Sequence, residues 1–220
     1  MPVAPDLNAA ATSVAAAASD GDATPPRKRP RPGERRVQIL QTLASMLEQP
    51  GAERVTTAAL AAKLDVSEAA LYRHFASKAQ MFEGLIEFIE TSTFGLLNQI
   101  VEREGVSGLV QAQKVVTVLL QFGERNPGMT QVMVGDALVY ENDRLLTRMN
   151  HFFDRVESVL RQVLRAAAEA NGSVTPTVQA NAQASVLVSF VIGRLQRYAR
   201  SGFKRLPSEQ LELALRMLLG

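Results

Sequence analysis

From Glu34 onward, large apolar side chains recur every three or four residues, and no stretch alternates as a half-buried strand would. The first run places Val37, Leu40, Leu43, Ala44 and Leu47 on one helical face and ends at Pro50-Gly51. Two short helical runs follow, TTAALAAKL (56–64) and SEAALYRHF (67–75), separated only by Asp65-Val66. Ser77-Lys78-Ala79-Gln80 then spells a capping box, with Ser77 as the cap and Gln80 reaching back. It opens a long helix through Met81, Leu85, Phe88 or Ile89, Leu96 and Ile100, and a further helix spans about 107–122.

That helix breaks within FGERNPG (122–128), because the residue before a proline is pushed out of the helical region. Arg125 and Asn126 are expected at its exposed end, where Arg125 suits the helix dipole. A short apolar segment, Met129 to Val139, precedes a helix in which Leu145, Met149, Phe152, Val156, Val159 and Val163 form a near-heptad stripe. Thr175-Pro176 supplies a cap and a first-turn proline for a helix from Thr177 to Arg200, and a last helix starts at Ser208. The pattern predicts an all-α protein of about nine helices, divided into an N-terminal domain over 33–80 and a helical domain over 81–220. Positions 1–26 are rich in Ala, Ser and Pro without regularly spaced large apolar residues, which predicts a disordered tail; it ends in a basic arm by residue 32.

The stretch 55–82 carries the most specific signal. Two short helices joined by a tight turn are the geometry of a helix-turn-helix. Asp65 falls where the first helix reverses, a position that favours a left-handed backbone. Ser67 is a natural N-cap for the second helix, and Glu68 suits its dipole. Ala70 or Leu71, together with Phe75, faces inward, leaving Glu68, Ala69, Tyr72 and Arg73 outward. Small residues at the helix start let it enter a major groove, where Arg73 can reach a guanine edge or a phosphate. Tyr72, His74 and Lys78 suit phosphate oxygens, as does the N-terminus of the helix at Thr56. Double-stranded DNA is the expected partner.

Charge sharpens this expectation. Residues 27–36, RKRPRPGERR, hold six of the 24 basic residues and only one of the 22 acidic ones, so the rest of the chain is slightly acidic. Such an arm (Arg27, Lys28, Arg29, Arg31) follows a nucleic acid or an anionic membrane surface, or serves as a solubilising linker. There is no cysteine, which excludes disulfides and thiolate chemistry and fits a reducing cytoplasm. No apolar run approaches the roughly 20 residues that span a bilayer, and the N-terminus lacks a basic start followed by an apolar core, so neither a secretory signal nor a membrane role is expected.

The run LYRHFASK (71–78) resembles the close of the DNA-binding domain in the TetR family of dimeric DNA-binding proteins. The resemblance continues through FEGLIEFIE, FGERNPGMTQVMVGDAL, ENDRLLTRMNHFFDRVESVLRQVLR and RSGFKRLP, over about residues 35–210, and is to the nucleoid occlusion factors of that family. It implies a homodimer at dispersed chromosomal sites, cytoplasmic and nucleoid-associated. While on DNA, such a dimer binds the tubulin-like division protein FtsZ and disrupts its polymers. The matching partner-binding positions are Phe88, Arg125 and Asn126, with Thr56 nearby. Leu96 stands where the family pattern has a basic residue, and Gln121 where it has glycine. The alternative is a ligand-responsive repressor with an apolar effector pocket among the helices of 107–200; the nucleoid occlusion reading expects no small-molecule ligand.

Other chemistry finds little footing. His74 and His151 have no ligand-spaced partners for a metal, and no phosphate loop, nucleophile elbow or carboxylate pair suggests an enzyme or a cofactor. Met129 and Met133 read as core filler. The stripe Leu187, Val188, Val191, Ile192 and Leu195, with Leu215 on the last helix, is either internal core or a dimer seam. A protein reading two half-sites needs a two-fold axis, which favours a seam at Leu187, Val191, Leu195 and Leu215.

Overall fold

The computed structural model describes residues 33–49 and 55–220. Over these residues the helices are α1 (Glu34–Leu47), α2 (Thr57–Lys63), α3 (Glu68–Tyr72), α4 (Lys78–Val101), α5 (Gly108–Arg125), α6 (Pro127–Met133), α7 (Asp143–Ala170), α8 (Pro176–Arg200) and α9 (Leu211–Leu219). One 3-10 turn (Asp136–Leu138) separates α6 from α7, and the described residues contain no strand. The 1–32 tail, with Arg27, Lys28, Arg29 and Arg31, and the Pro50-Gly51 helix end lie outside the described residues.

The helices form where the periodicity places them, but several faces are rotated from expectation. In α1 the core residues are Ile39, Leu43, Ala44 and Leu47, while Val37 is exposed. Arg36 lies 4.1 Å over the Phe75 ring, a rotation that turns Val37 outward. In α4 the core takes Ile89 and Leu97, leaving Phe88 and Leu96 half-buried. In α7 Leu160 is buried and Val159 only partly, so the stripe runs 145, 149, 152, 156, 160, 163. That drift is what a straight helix of 3.6 residues per turn gives when it packs on a globular core instead of a supercoil.

Helices α7 and α8 pack along their length, with α5 and α4 against α7. Phe94 of α4 meets Phe152 of α7 edge-on at 5.5 Å. Leu187, Val191 and Leu195 are completely buried in this core and Leu215 nearly so, which corrects their assignment to a dimer seam. An apolar stripe in sequence cannot say whether its partner is in the same chain, and here α5, α7 and α9 already cover it. The outward face of α8 carries Val178, Ala182, Ser185, Val186 and Ser189 instead.

Two helix starts differ from expectation. Thr175 precedes Pro176 as expected but its side chain makes no cap bond. The last helix, expected to start at Ser208, starts at Leu211, and the Ser208 hydroxyl donates instead to the Glu124 carboxylate at 2.5 Å.

Candidate nucleic-acid interface

Helices α2 and α3 are held in register by a short set of local bonds. Asp65 has φ 53°, the left-handed turn expected of it. Val66 N donates to Ala61 O and Asp65 N to Ala62 O, the paired bonds that close a helix C-terminus. The Ser67 hydroxyl accepts from Ala70 N and so caps α3. Thr57 donates to the Glu68 carboxylate at 2.6 Å, tying the start of α2 to the start of α3. Leu71 and Phe75 are buried beneath, so the angle between the two helices is set by packing as well as by hydrogen bonds.

Ala69, Tyr72, Arg73 and His74 are exposed, as are Ser67 and Thr56. The α-helical part of α3 ends at Tyr72, earlier than the periodicity suggests. Arg36 explains it, since its guanidinium donates to the His74 carbonyl while lying on Phe75, and the chain turns there toward the Ser77 cap of α4. Arg73 and His74 therefore sit on a turn. Ser77 accepts from Gln80 N, and the Gln80 side chain reaches back to Ala76 N, one residue earlier than a regular capping box. Thr56 caps α2 by accepting from Ala59 N at 3.1 Å, which leaves its hydroxyl proton as a donor.

Lys78 differs from expectation. Its ammonium is paired with Glu141, in the turn before α7, and lies 5.7 Å from the Phe82 ring centroid. Two more bridges continue the same seam between α4 and α7: Arg144 with Glu83 at 2.7 Å, and Arg148 with Glu90 at 2.5 Å. The hydrogen bond to Glu90 raises the already high Arg148 pKa further. Sequence reasoning missed Arg36 and Glu141, because each acts on a residue 38 or 63 positions away.

Comparison with known proteins fits this geometry. The model described as bacterial regulatory proteins of the tetR family matches residues 39–85, which hold α2, the turn and α3. A second, described as the SlmA-like, tetracyclin repressor-like C-terminal domain, matches residues 107–219. The nucleoid occlusion factor SlmA of Idiomarina loihiensis is 49% identical over 178 residues, covering 80% of this chain and 88% of that protein. SlmA of Photobacterium profundum is 50% identical over 179 residues, covering 81% and 90%. The chain belongs to the SlmA nucleoid occlusion factors of the TetR family. It shares its fold with solved regulators such as MbdR from Azoarcus (TM-score 0.69, 16% identity, 83% and 95% covered). FadR from Bacillus subtilis, solved with stearoyl-CoA, has TM-score 0.66 at 12% identity, with 83% and 97% covered. As a TetR-family chain it is a DNA-binding regulator.

The positions that the SlmA resemblance marks for a partner fall around the α5–α6 break. The Phe88 ring lies 6.2 Å from that of Phe122, one turn before the break. Arg125 is exposed. Asn126 is not: it is 5% exposed, and its amide donates to Phe122 O at 2.9 Å. It serves as both the last cap of α5 and the first of α6, with Pro127 opening α6. Thr130 seals the break by donating to Gly123 O at 2.8 Å. Gln121 is half-buried and lines a cavity of about 530 Å³ with Val110, Lys114, Leu211 and Arg216. No described helix is long and apolar enough to cross a membrane.

Proposed function

We propose that this chain acts in the cytoplasm as a dimeric nucleoid occlusion factor: bound to chromosomal DNA, it meets FtsZ and disrupts its polymers over the nucleoid. The observation that carries this reading is the match to the SlmA-like C-terminal domain over residues 107–219, added to the helix-turn-helix. The exposed surface of α3 enters the major groove through Ser67 and Ala69. Arg73 meets a base edge or phosphate, and Tyr72, His74, Lys78 and Thr56 hold the backbone. Arg27, Lys28, Arg29 and Arg31 extend this contact along the duplex. With few long donors on α3, site choice leans on DNA shape and water.

The dimer forms on the outward face of α8, where Val178, Ala182, Val186 and Ser189 stand free of the core. FtsZ is met at the α5–α6 break through Arg125, with Phe88 shaping the adjoining surface; buried Asn126 acts there as a structural clamp.

Sedimentation of FtsZ polymers with the protein, with and without its DNA, tests the reading. Polymer loss that requires DNA is the expected result. Polymers untouched by the protein–DNA complex would defeat it.

A further inference from the structure

Glu68 opens α3 between Ser67 and Ala69, the two residues through which this helix is proposed to enter the major groove. It is exposed, and it makes no ion pair with any described residue. A carboxylate without a cation is a costly group to bring against a duplex, whose phosphates repel it. A helix N-terminus favours negative charge, but Ser67 already caps α3 by accepting from Ala70 N. The register of α2 on α3 has other supports in the Asp65 turn and in buried Leu71 and Phe75. Neither role calls for an acid at this place.

The carboxylate is also held in one orientation. The Thr57 hydroxyl, at the start of α2, donates to Glu68 Oε2 at 2.6 Å. Threonine is branched at Cβ and has few rotamers, so this donor is well directed. Oε1 is left to accept a further bond. No neighbour on this turn competes for that task, because the Ser67 side chain is short and engaged as the cap and Ala69 and Ala70 carry only a methyl group.

Base edges differ in what they offer such a group. In the major groove guanine shows two acceptors, and thymine shows one acceptor and a methyl, so both repel a carboxylate. Adenine sets its N6 donor beside the N7 acceptor, whereas cytosine presents the N4 donor alone. Cytosine is therefore the best match for a side chain that only accepts.

We propose that Glu68 is a specificity-determining residue of the DNA-binding surface. Positioned by Thr57, it accepts from cytosine N4 in each half-site and turns away guanine and thymine. Its selectivity comes as much from repulsion as from attraction. This role rests on the proposed placement of α3 in the major groove, and gives that helix one direct base contact.

The full chain is used to select duplexes from a random-sequence pool, and the enriched sites are sequenced. Wild type is expected to enrich cytosine at one position per half-site, by about fivefold or more over the other bases. Glu68→Gln keeps the bond from Thr57 but adds a donor, so this position should change to adenine, which takes both donor and acceptor. Glu68→Ala should accept any base there, and Thr57→Val should weaken the cytosine preference without moving it. The same enriched site for wild type and Glu68→Gln overturns the proposal and leaves the placement of α3 standing. Loss of preference at every position in Glu68→Ala, with a lowered melting temperature, overturns it as well, because the carboxylate would then only brace α2 against α3. A wild-type chain that enriches no sequence defeats the placement of α3 and the role of Glu68 together.

Discussion

Tyr198 joins two parts of the molecule through one hydroxyl, which donates to the Glu124 carbonyl at the end of α5. Burial raises its pKa above the usual phenol value, and the Glu124 and Glu48 carboxylates add to the effect. A raised folded-state pKa means the contribution is complete below the unfolded value of about 10 and is lost as pH rises through the folded one. Tyr198→Phe is therefore expected to cost about 1 kcal/mol near neutrality, from the lost hydrogen bond. Denaturant melts above about pH 10 should show the variant losing less stability than wild type; an identical alkaline decline would remove Tyr198 as the cause. At this scale the sequence was most legible where chemistry is local. Asp65, Ser67 and Ser77 do what their neighbours in sequence imply, because a cap or a left-handed turn is decided within four residues. Asn126 was not legible: beside Arg125 it reads as a polar exposed end, yet α6 folds back over it and the amide turns inward.

The contact between α1 and α6 depends on an absent side chain. At Gly128 a β-carbon would be driven into the Ala44 carbonyl oxygen, and a backbone oxygen cannot swing away as a flexible side chain does. Gly128→Ala should destabilise by about 1–3 kcal/mol or more, read as a lower denaturation midpoint. Gly95 is the control. It lies on the exposed side of α4, where an added methyl would meet no atom within 4 Å, so Gly95→Ala should stabilise by about 0.5–1 kcal/mol. A pair of equal melts would show that α1 and α6 do not pack this closely. Helix existence was readable from periodicity because the 3.6-residue repeat is intrinsic to each segment. Which apolar stripe faces a neighbour in the same chain was not. Leu187, Val191 and Leu195 look like a free seam until α5 and α7 are placed against them.

Across the whole molecule, the seam of ion pairs between α4 and α7 connects the helix-turn-helix end to the larger helical body. Arg148 is more than one-third exposed, so its bridge to Glu90 contributes well under the strength of a buried pair, and the seam acts mainly by fixing geometry. The TetR-type fold and the helix-turn-helix were legible from spacing and from the LYRHFASK run. The seam was not, since Lys78 and Glu141 are brought together only by folding.

On the proposed reading, the Lys78 ammonium has two claimants: a DNA phosphate and the Glu141 carboxylate beside it. Glu141→Gln should thus tighten DNA binding by about three- to tenfold at low salt, measured by anisotropy, although Glu141 itself is not assigned to DNA. Lys78→Ala should weaken binding and lower the salt slope by about one, and in that background the Glu141 change should have no further effect. Glu141 is then a tethered rival to the nucleic acid, one whose concentration never changes, so that the protein's grip on a chromosome is set partly by a residue that stays behind it.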